Sequence, residues 1–314
     1  MRTKVAIALA TVYVVWGSTY LAIAVADRTL PPLLMLAVRF GLAGAILFAW
    51  SAWRGDVRRA KLGRREWIAA AIVGALLLFI ETGAVAWAEQ RVASGLTALL
   101  VASVPLFTAL LDRTVFGVRL SLGAIAGIAT GLLGVALLVG PSANIDPLGA
   151  AVILAGAVAW SAGSAYARVA PLPRVSALST AMQMLCGASL LAVAGVARGE
   201  LSQVHPSAIS AGSLGAFAYL IVVGSIGAYT AYSWLLQSGT PSVVVSTYAY
   251  ANPAIAVVLG WLFAGEAVGG REIAAGAVIL ASVGMLVIAR KPRERRQSVP
   301  VAPRPAVAPA VPPR

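Results

Sequence analysis

One cysteine and one histidine occur in the whole chain, Cys186 and His205. A lone cysteine excludes a disulfide framework. One residue of each kind also leaves no His/Cys metal site and no Ser-His catalytic site. Charge is scarce too. Only 11% of the 314 residues are charged, against about 25% in a soluble domain. A chain so poor in charge cannot cover itself with a water-compatible surface. No glycine loop followed by Lys and Ser/Thr is present to cradle a phosphate, which argues against a primary pump. The abundant material is apolar, at 60% of the sequence. These absences predict an integral membrane protein with no cofactor and no metal, not an enzyme. Its natural surroundings are the lipid bilayer.

Ten segments are long enough to cross about 30 Å of hydrocarbon, which takes about 20 residues. They fall near 5–26, 33–53, 67–88, 94–112, 121–140, 148–168, 176–197, 212–235, 242–263 and 272–290. Their links are short and rich in turn formers, as at Pro31-Pro32, Pro171-Leu172-Pro173 and Gly239-Thr240-Pro241. Consecutive helices are therefore expected to be antiparallel neighbours. An open sheet is excluded, because unpaired backbone groups cannot face lipid. The net charge of +13 would suit a nucleic-acid binder, but its placement speaks for a membrane. With both termini inside, the inner side carries 19 Lys and Arg residues and the outer loops carry four, Arg28, Arg91, Arg198 and Arg271. That asymmetry predicts a multi-pass protein of the inner or plasma membrane with cytoplasmic termini and no nucleic-acid partner.

The two halves repeat each other. Trp16, Arg39, Trp87, Pro105 and Gly127 have counterparts at Trp160, Gln183, Trp234, Pro253 and Gly276, at offsets of 144 to 149 residues. Each half holds five apolar segments. After an odd number of crossings the second half starts on the opposite side and runs upside down. The predicted fold is all-α, ten transmembrane helices as two inverted five-helix repeats, residues 1–141 and 147–290. Inverted repeats place a site at their interface that can open to either side in turn.

The chain's two ends are distinct. The run from Val5 to Ala26 follows Arg2 and Lys4 and ends Ala24-Val25-Ala26, like a signal peptide. It is longer than an ordinary signal core and contains Trp16-Gly17-Ser18-Thr19-Tyr20, so it reads as the first span. Residues 291–314 hold seven of the 17 prolines, among alanine, valine and arginine. This composition predicts a disordered, basic cytoplasmic tail.

Two full charges fall inside predicted spans. Arg39 and Glu81 each lie eight residues, about 12 Å, below the outer ends of adjacent antiparallel helices. Each alone would cost about 2.5–3.5 kcal/mol on insertion scales. They can meet at the edge of a wet vestibule or form a structural ion pair. Gln183 matches Arg39 across the repeat and would serve the inward opening, or a helix–helix hydrogen bond. Trp16, Tyr248 and Tyr250 lie near mid-depth, away from the interfacial belt that accounts for Trp50, Trp53, Trp67, Trp87 and Trp234. Mid-depth aromatics can line a cavity and stack on a flat or cationic ligand. Ser18, Thr19, Ser246 and Asn252 can add hydrogen bonds there. Pro105 and Pro253 interrupt matched helices and are hinge candidates. Gly123, Gly127 and Gly131 recur at four-residue spacing, which suits close packing within the chain or a homodimer seam.

The pattern Trp16-Gly17-Ser18-Thr19-Tyr20, Arg39-Phe40, Trp87-Ala88-Glu89-Gln90, Ser94-Gly95-Leu96-Thr97-Ala98-Leu99-Leu100 and Pro105 resembles the EamA-type transporters of the drug/metabolite transporter superfamily. Tyr250-Ala251-Asn252-Pro253 and Gly265-Glu266 carry the resemblance into the second half. It covers about residues 5–290. It implies ten helices in two inverted repeats, and export or exchange of small metabolites such as amino acids or drugs. It also implies a cavity built by helices 1, 3, 4, 6, 8 and 9, and so adds Ser103 and Trp160 to Trp16, Thr19 and Tyr248 as cavity candidates. The chain departs from the pattern at Phe116-Gly117-Val118, where a Glu commonly follows Gly, and at Glu81, where a neutral or amide side chain is expected. The resulting expectation is a secondary transporter moving a small-molecule substrate by alternating access, in the export direction. A passive channel or permease is the alternative, although no charge ring or carbonyl filter is visible.

Overall fold

The structure is a computed structural model that describes residues 2–88, 97, 100–139, 146–264 and 269–289. Glu89, Arg91, Ser94, Gly265, Glu266 and the tail from 290 onward lie outside the described residues. Every long element is a helix: α1 (Arg2–Ala26), α2 (Pro32–Trp53), α3 (Arg64–Ala88), α4 (Val104–Phe116), α5 (Leu122–Val139), α6 (Pro147–Ala167), α7 (Ser176–Ala197), α8 (Ala211–Gln237), α9 (Tyr248–Ala264) and α10 (Gly270–Ile288). No strand occurs among the described residues. Among the described residues, six helices are long and apolar enough to cross a bilayer: α1, α2, α3, α6, α7 and α8. The described parts of α5 and α10 are shorter apolar helices.

Local sequence sets the helix ends. α2 begins with Pro32 in its first turn, where a missing N–H costs nothing. Asp146 caps α6 by accepting from the backbone N–H groups of Leu148 and Gly149, at 3.4 and 3.1 Å. Ser210 caps α8 through Ser213 N–H at 3.0 Å. α4 stops at Gly117, whose φ of +64° suits a residue without Cβ. A short helix, Ser242–Val245, leads into α9 through a turn at Ser246-Thr247.

The neighbours of each helix change places when the halves are exchanged. α1 packs on α9 as α6 packs on α4. α1 packs on α8 as α6 packs on α3, and α2 on α8 as α7 on α3. The equivalent helices α2 and α7 pack on each other, as do α5 and α10. Both of these seams are antiparallel. A Cβ on Gly44 would meet Leu185, while one on Gly195 would meet Leu34. A Cβ on Gly123 would meet Ala289, while one on Gly134 would meet Ile279. Small residues make both approaches possible. On α5, a Cβ at Gly131 would stand 2.6 Å from Tyr250 and 2.7 Å from Ser282, so the glycine stripe is filled from within the chain.

The repeat extends to an irregularity. α3 opens into a π-helical stretch over Ala75–Thr82, and α8 does the same over Leu220–Gly227. The two stretches are equal in length and 145 residues apart. Thr82 Oγ1 donates to the Leu77 carbonyl, five residues back, at 3.1 Å. π-turns of this kind gather at functional sites. The bundle's exterior is apolar: Leu122 is 84% exposed, Val193 70% and Leu133 68%. Contiguous apolar exposure on this scale fits a lipid-facing surface.

Candidate functional site

Five aromatic rings from four helices meet at the centre. Trp16 of α1 is the hub. Its ring centroid lies 5.6 Å from Trp160 (α6), 5.3 Å from Tyr229 and 5.2 Å from Tyr232 (α8), and 4.9 Å from Tyr248 (α9). Most of these contacts are edge-to-face, the arrangement ring quadrupoles favour. Trp16 and Trp160 are repeat counterparts in contact with each other, which puts the box on the approximate twofold relating the halves. All five side chains are buried. Polar handles fix the rings. Trp16 Nε1 donates to the Gly224 carbonyl at 3.2 Å, inside the π-turn of α8. Trp160 Nε1 donates to Tyr232 Oη at 2.9 Å, and Ser164 shares that hydroxyl at 2.6 Å. The Tyr229 hydroxyl is buried with no hydrogen-bond partner among the described residues.

The two π-turns bring the buried charges to the rim. Arg39 (4% exposed) reaches across from α2 and donates through Nε to Ser225 Oγ at 2.8 Å. A Cβ on Gly224 would stand 3.0 Å from the Arg39 guanidinium and 3.1 Å from Thr19, so any larger residue there would have to push both side chains back. Glu81 lies in the π-turn of α3, against Gly156 of α6, and accepts from Thr82 Oγ1 at 3.0 Å. Each charge thus faces the opposite half, and both lie within electrostatic reach of Tyr229.

The other sequence candidates are dispersed around this centre. Thr19 donates to the Trp16 carbonyl at 2.7 Å. Asn252, with its amide nitrogen turned to acceptors, reaches the carbonyls of Tyr248 and Tyr13 at 3.0 and 3.2 Å. Ser103 donates to the Leu100 carbonyl at 2.5 Å, at the break before α4. Gln183 lies on the α7 face packed against α3 at Gly74, and donates to Ser179 at 2.9 Å. The matched prolines differ. Pro105 sits in the first turn of α4, where it breaks no helical bond, whereas Pro253 is inside α9.

Two features at the bundle ends were not anticipated. Where α4, α6 and α8 stop, Arg168 caps α6 and holds Asp112 of α4 at 2.9 Å. Ser242 donates to the same carboxylate oxygen at 3.2 Å. A cavity of about 460 Å³ opens beside them, bordered by Arg168, Arg174, Trp234 and Gln237. At the other end a cavity of about 360 Å³ is bordered by Asp27, Pro31, Gln203 and His205. Burial pushes the Asp27 carboxyl up to about 6; Arg39 opposes that rise and Glu200 adds to it.

An all-helical bundle with a lipid-compatible exterior and a polar-rimmed aromatic centre between two repeats defines a multi-pass membrane transporter. The comparisons place it further: both halves match the EamA-like transporter family, over residues 3–140 and 147–288. The chain belongs to that family. It is similar to the uncharacterized inner membrane transporter YedA of Escherichia coli, 39% identical over 91% of this chain and 92% of that one. Protein PecM of Dickeya dadantii is 24% identical over 87% of this chain and 88% of its own length. A protein of Escherichia coli named "Probable amino-acid metabolite efflux pump" is 29% identical over 53% of this chain and 54% of that one. A solved crystal structure with a TM-score of 0.76, 23% identical, covers 92% of this chain and 98% of that chain, and shares the fold.

Proposed function

We infer that the protein is a secondary transporter that exports a small metabolite across the inner membrane by alternating access. The carrying observation is the box of Trp16, Trp160, Tyr229, Tyr232 and Tyr248. It is built by helices from both repeats, on the approximate twofold that exchanges them. In this reading all ten helices span the bilayer and the halves are inverted in the membrane. The antiparallel α2–α7 and α5–α10 seams support that placement. The excess of Lys and Arg in the links on one side supports cytoplasmic termini.

The substrate binds where the box separates, at Trp16, Trp160 and Tyr248. Thr19, Arg39, Glu81, Ser103 and Asn252 form its polar margin, and Gln183 supports α7 behind it. Pro105 and Pro253 are the hinges. The rings suit a flat apolar body, and Arg39 with Glu81 suits a molecule carrying both signs of charge. The relative named as an amino-acid metabolite efflux pump fits that chemistry. A homodimer would use a face other than the glycine stripe of α5, which α10 fills.

A metabolite screen of cells lacking and overproducing the protein identifies the substrate. Counterflow in proteoliposomes then tests the mechanism. Saturable uptake, accelerated by substrate on the far side, is expected. Linear flux without counterflow would identify a passive permease instead.

A further inference from the structure

The cross-repeat ion pair has no partner in the fold's own symmetry. Asp112 lies one turn before the end of α4 in the first half; Arg168 caps α6 and Ser242 starts the ninth span in the second. The Asp112 side chain is 7% exposed and Arg168 is 23% exposed. Ser242 donates to the carboxylate and accepts from Arg168, closing a three-membered ring of bonds. The Phe116 ring lies 5.4 Å from the Arg168 guanidinium carbon. Applying the repeat offsets of 144 and 148 residues sends Arg168 to Ala24, Asp112 to Gly260 and Ser242 to Ser94. None of the three can form an ion pair. The far end has cross-repeat bonds of its own, but they join other helices. Leu34 N–H donates to Glu200 at 2.9 Å and Ser213 donates to the Val25 carbonyl at 2.9 Å.

We propose that Asp112, Arg168 and Ser242 form a one-sided latch that holds the two repeats together at the end where α4, α6 and α8 stop. α4, α6 and the start of the ninth span must part there for a central site to open toward that end. Opening breaks a largely buried, hydrogen-bonded charge pair whose repeat-equivalent positions hold no charge, so the two half-cycles are unequal. The resting protein favours the state shut at the latch. The latch rests on the alternating-access reading proposed above; on the orientation inferred there, the shut end is cytoplasmic.

Cysteine accessibility tests this without a known substrate. In a Cys186→Ser background, Thr108→Cys reports one turn inside the latch, and Ser18→Cys reports the other half of the bundle. A membrane-impermeant maleimide is applied to inside-out vesicles and to intact cells. Asp112→Asn should raise Thr108→Cys labelling about tenfold and lower Ser18→Cys labelling, because one end closes as the other opens. Exchanging the charges, Asp112→Arg with Arg168→Asp, should restore protection. Unchanged Thr108→Cys labelling in a monodisperse Asp112→Asn protein would overturn the latch. So would increased labelling there with Ser18→Cys unaffected, which would mean local fraying. Should Asp112→Asn not fold, Ser242→Ala keeps the ion pair and should still raise labelling about twofold; a flat response would overturn the proposal. If the increase is seen from intact cells rather than inside-out vesicles, the latch stands and the inferred orientation falls.

Discussion

Two tyrosines one helical turn apart should respond oppositely to loss of a hydroxyl. Tyr229 and Tyr232 lie on the same face of α8, are both buried, and both contact Trp16 and Trp160. Their hydroxyls differ. That of Tyr232 accepts from Trp160 Nε1 and is shared with Ser164. That of Tyr229 has no partner among the described residues. Burying an unpaired hydroxyl costs about 1–3 kcal/mol. Tyr229→Phe keeps the ring contacts and removes that cost, so it should be neutral or stabilising by about 1 kcal/mol. Tyr232→Phe loses two hydrogen bonds and strands the indole N–H of Trp160. Its cost should be about 2–4 kcal/mol. At about 2 °C per kcal/mol for a chain of this size, the variants should separate clearly in thermal unfolding followed by tryptophan fluorescence in detergent. Equal destabilisation would refute the assignment of the free hydroxyl. If the proposed site is right, Tyr229→Phe should also weaken transport of the substrate found by screening, because the hydroxyl is then the open hydrogen-bonding position in the box.

Further outcomes follow from the close helix approaches and the ionisable rim. Gly74→Ala places a Cβ 2.3 Å from the Gln183 backbone oxygen, so α3 and α7 must separate; a loss of about 2–3 kcal/mol in thermal stability is expected. Gly215→Ala, with open space around it, should be neutral or slightly stabilising and serves as the control in the same melt. Asp27 has a folded pKa of about 6, above its ordinary value of 3.8, so the folded state holds a proton that the unfolded state has released. The stability it contributes is therefore greatest below pH 4 and is lost as pH rises through 6. Melting temperatures of wild type and Asp27→Asn should diverge over that window, with the variant the flatter of the two. Ser225→Ala deprives the buried Arg39 of its acceptor and should lower the melting temperature more than Ser189→Ala, whose hydroxyl is exposed and bonds only within its own helix.

The fold was legible because lipid imposes a simple pattern. An uninterrupted apolar run must be helical there, and the predicted limits 176–197 for α7 coincide with the observed Ser176–Ala197. The repeat was legible because large or rare residues such as Trp16 and Trp160 kept their spacing. Trp16, Trp160 and Tyr248 meet in one ring cluster, and Thr19 lies beside them. Tyr229 and Tyr232 were visible as an i, i+3 pair, but that spacing alone does not distinguish a core face from an interfacial belt. The π-turns were not legible, since the polar residues inside Ala75–Thr82 and Leu220–Gly227, Glu81, Thr82 and Ser225, do not distinguish a π-turn from an ordinary helical turn. Arg39 and Glu81 were found by their charge, yet helical periodicity could not show that each turns across to the other half. The Asp112–Arg168–Ser242 cluster was missed because its members are 56 and 74 residues apart and looked like ordinary polar residues at helix ends.

The packing also dictates where motion between the repeats can occur. At the α2–α7 seam the hypothetical Cβ of Gly44 meets Leu185 and the Ala181 carbonyl at 3.1 Å, and at α3–α7 the Gly74 and Gln183 backbones nearly touch. Backbones this close interlock, and sliding them would force atoms together before any new contact forms. α5 and α10 interlock in the same way at Gly127, Gly131 and Gly134. The aromatic box is different in kind. Its rings meet at centroid distances of 4.9–6.2 Å and mostly edge-on, so they can part without threading past backbone. The π-turns beside it, in α3 and α8, are the natural places for a helix to change its winding. In the proposed cycle, rocking of one repeat on the other would pivot on the glycine seams and open at the rings. The side that opens is decided by whichever end bonds hold less firmly.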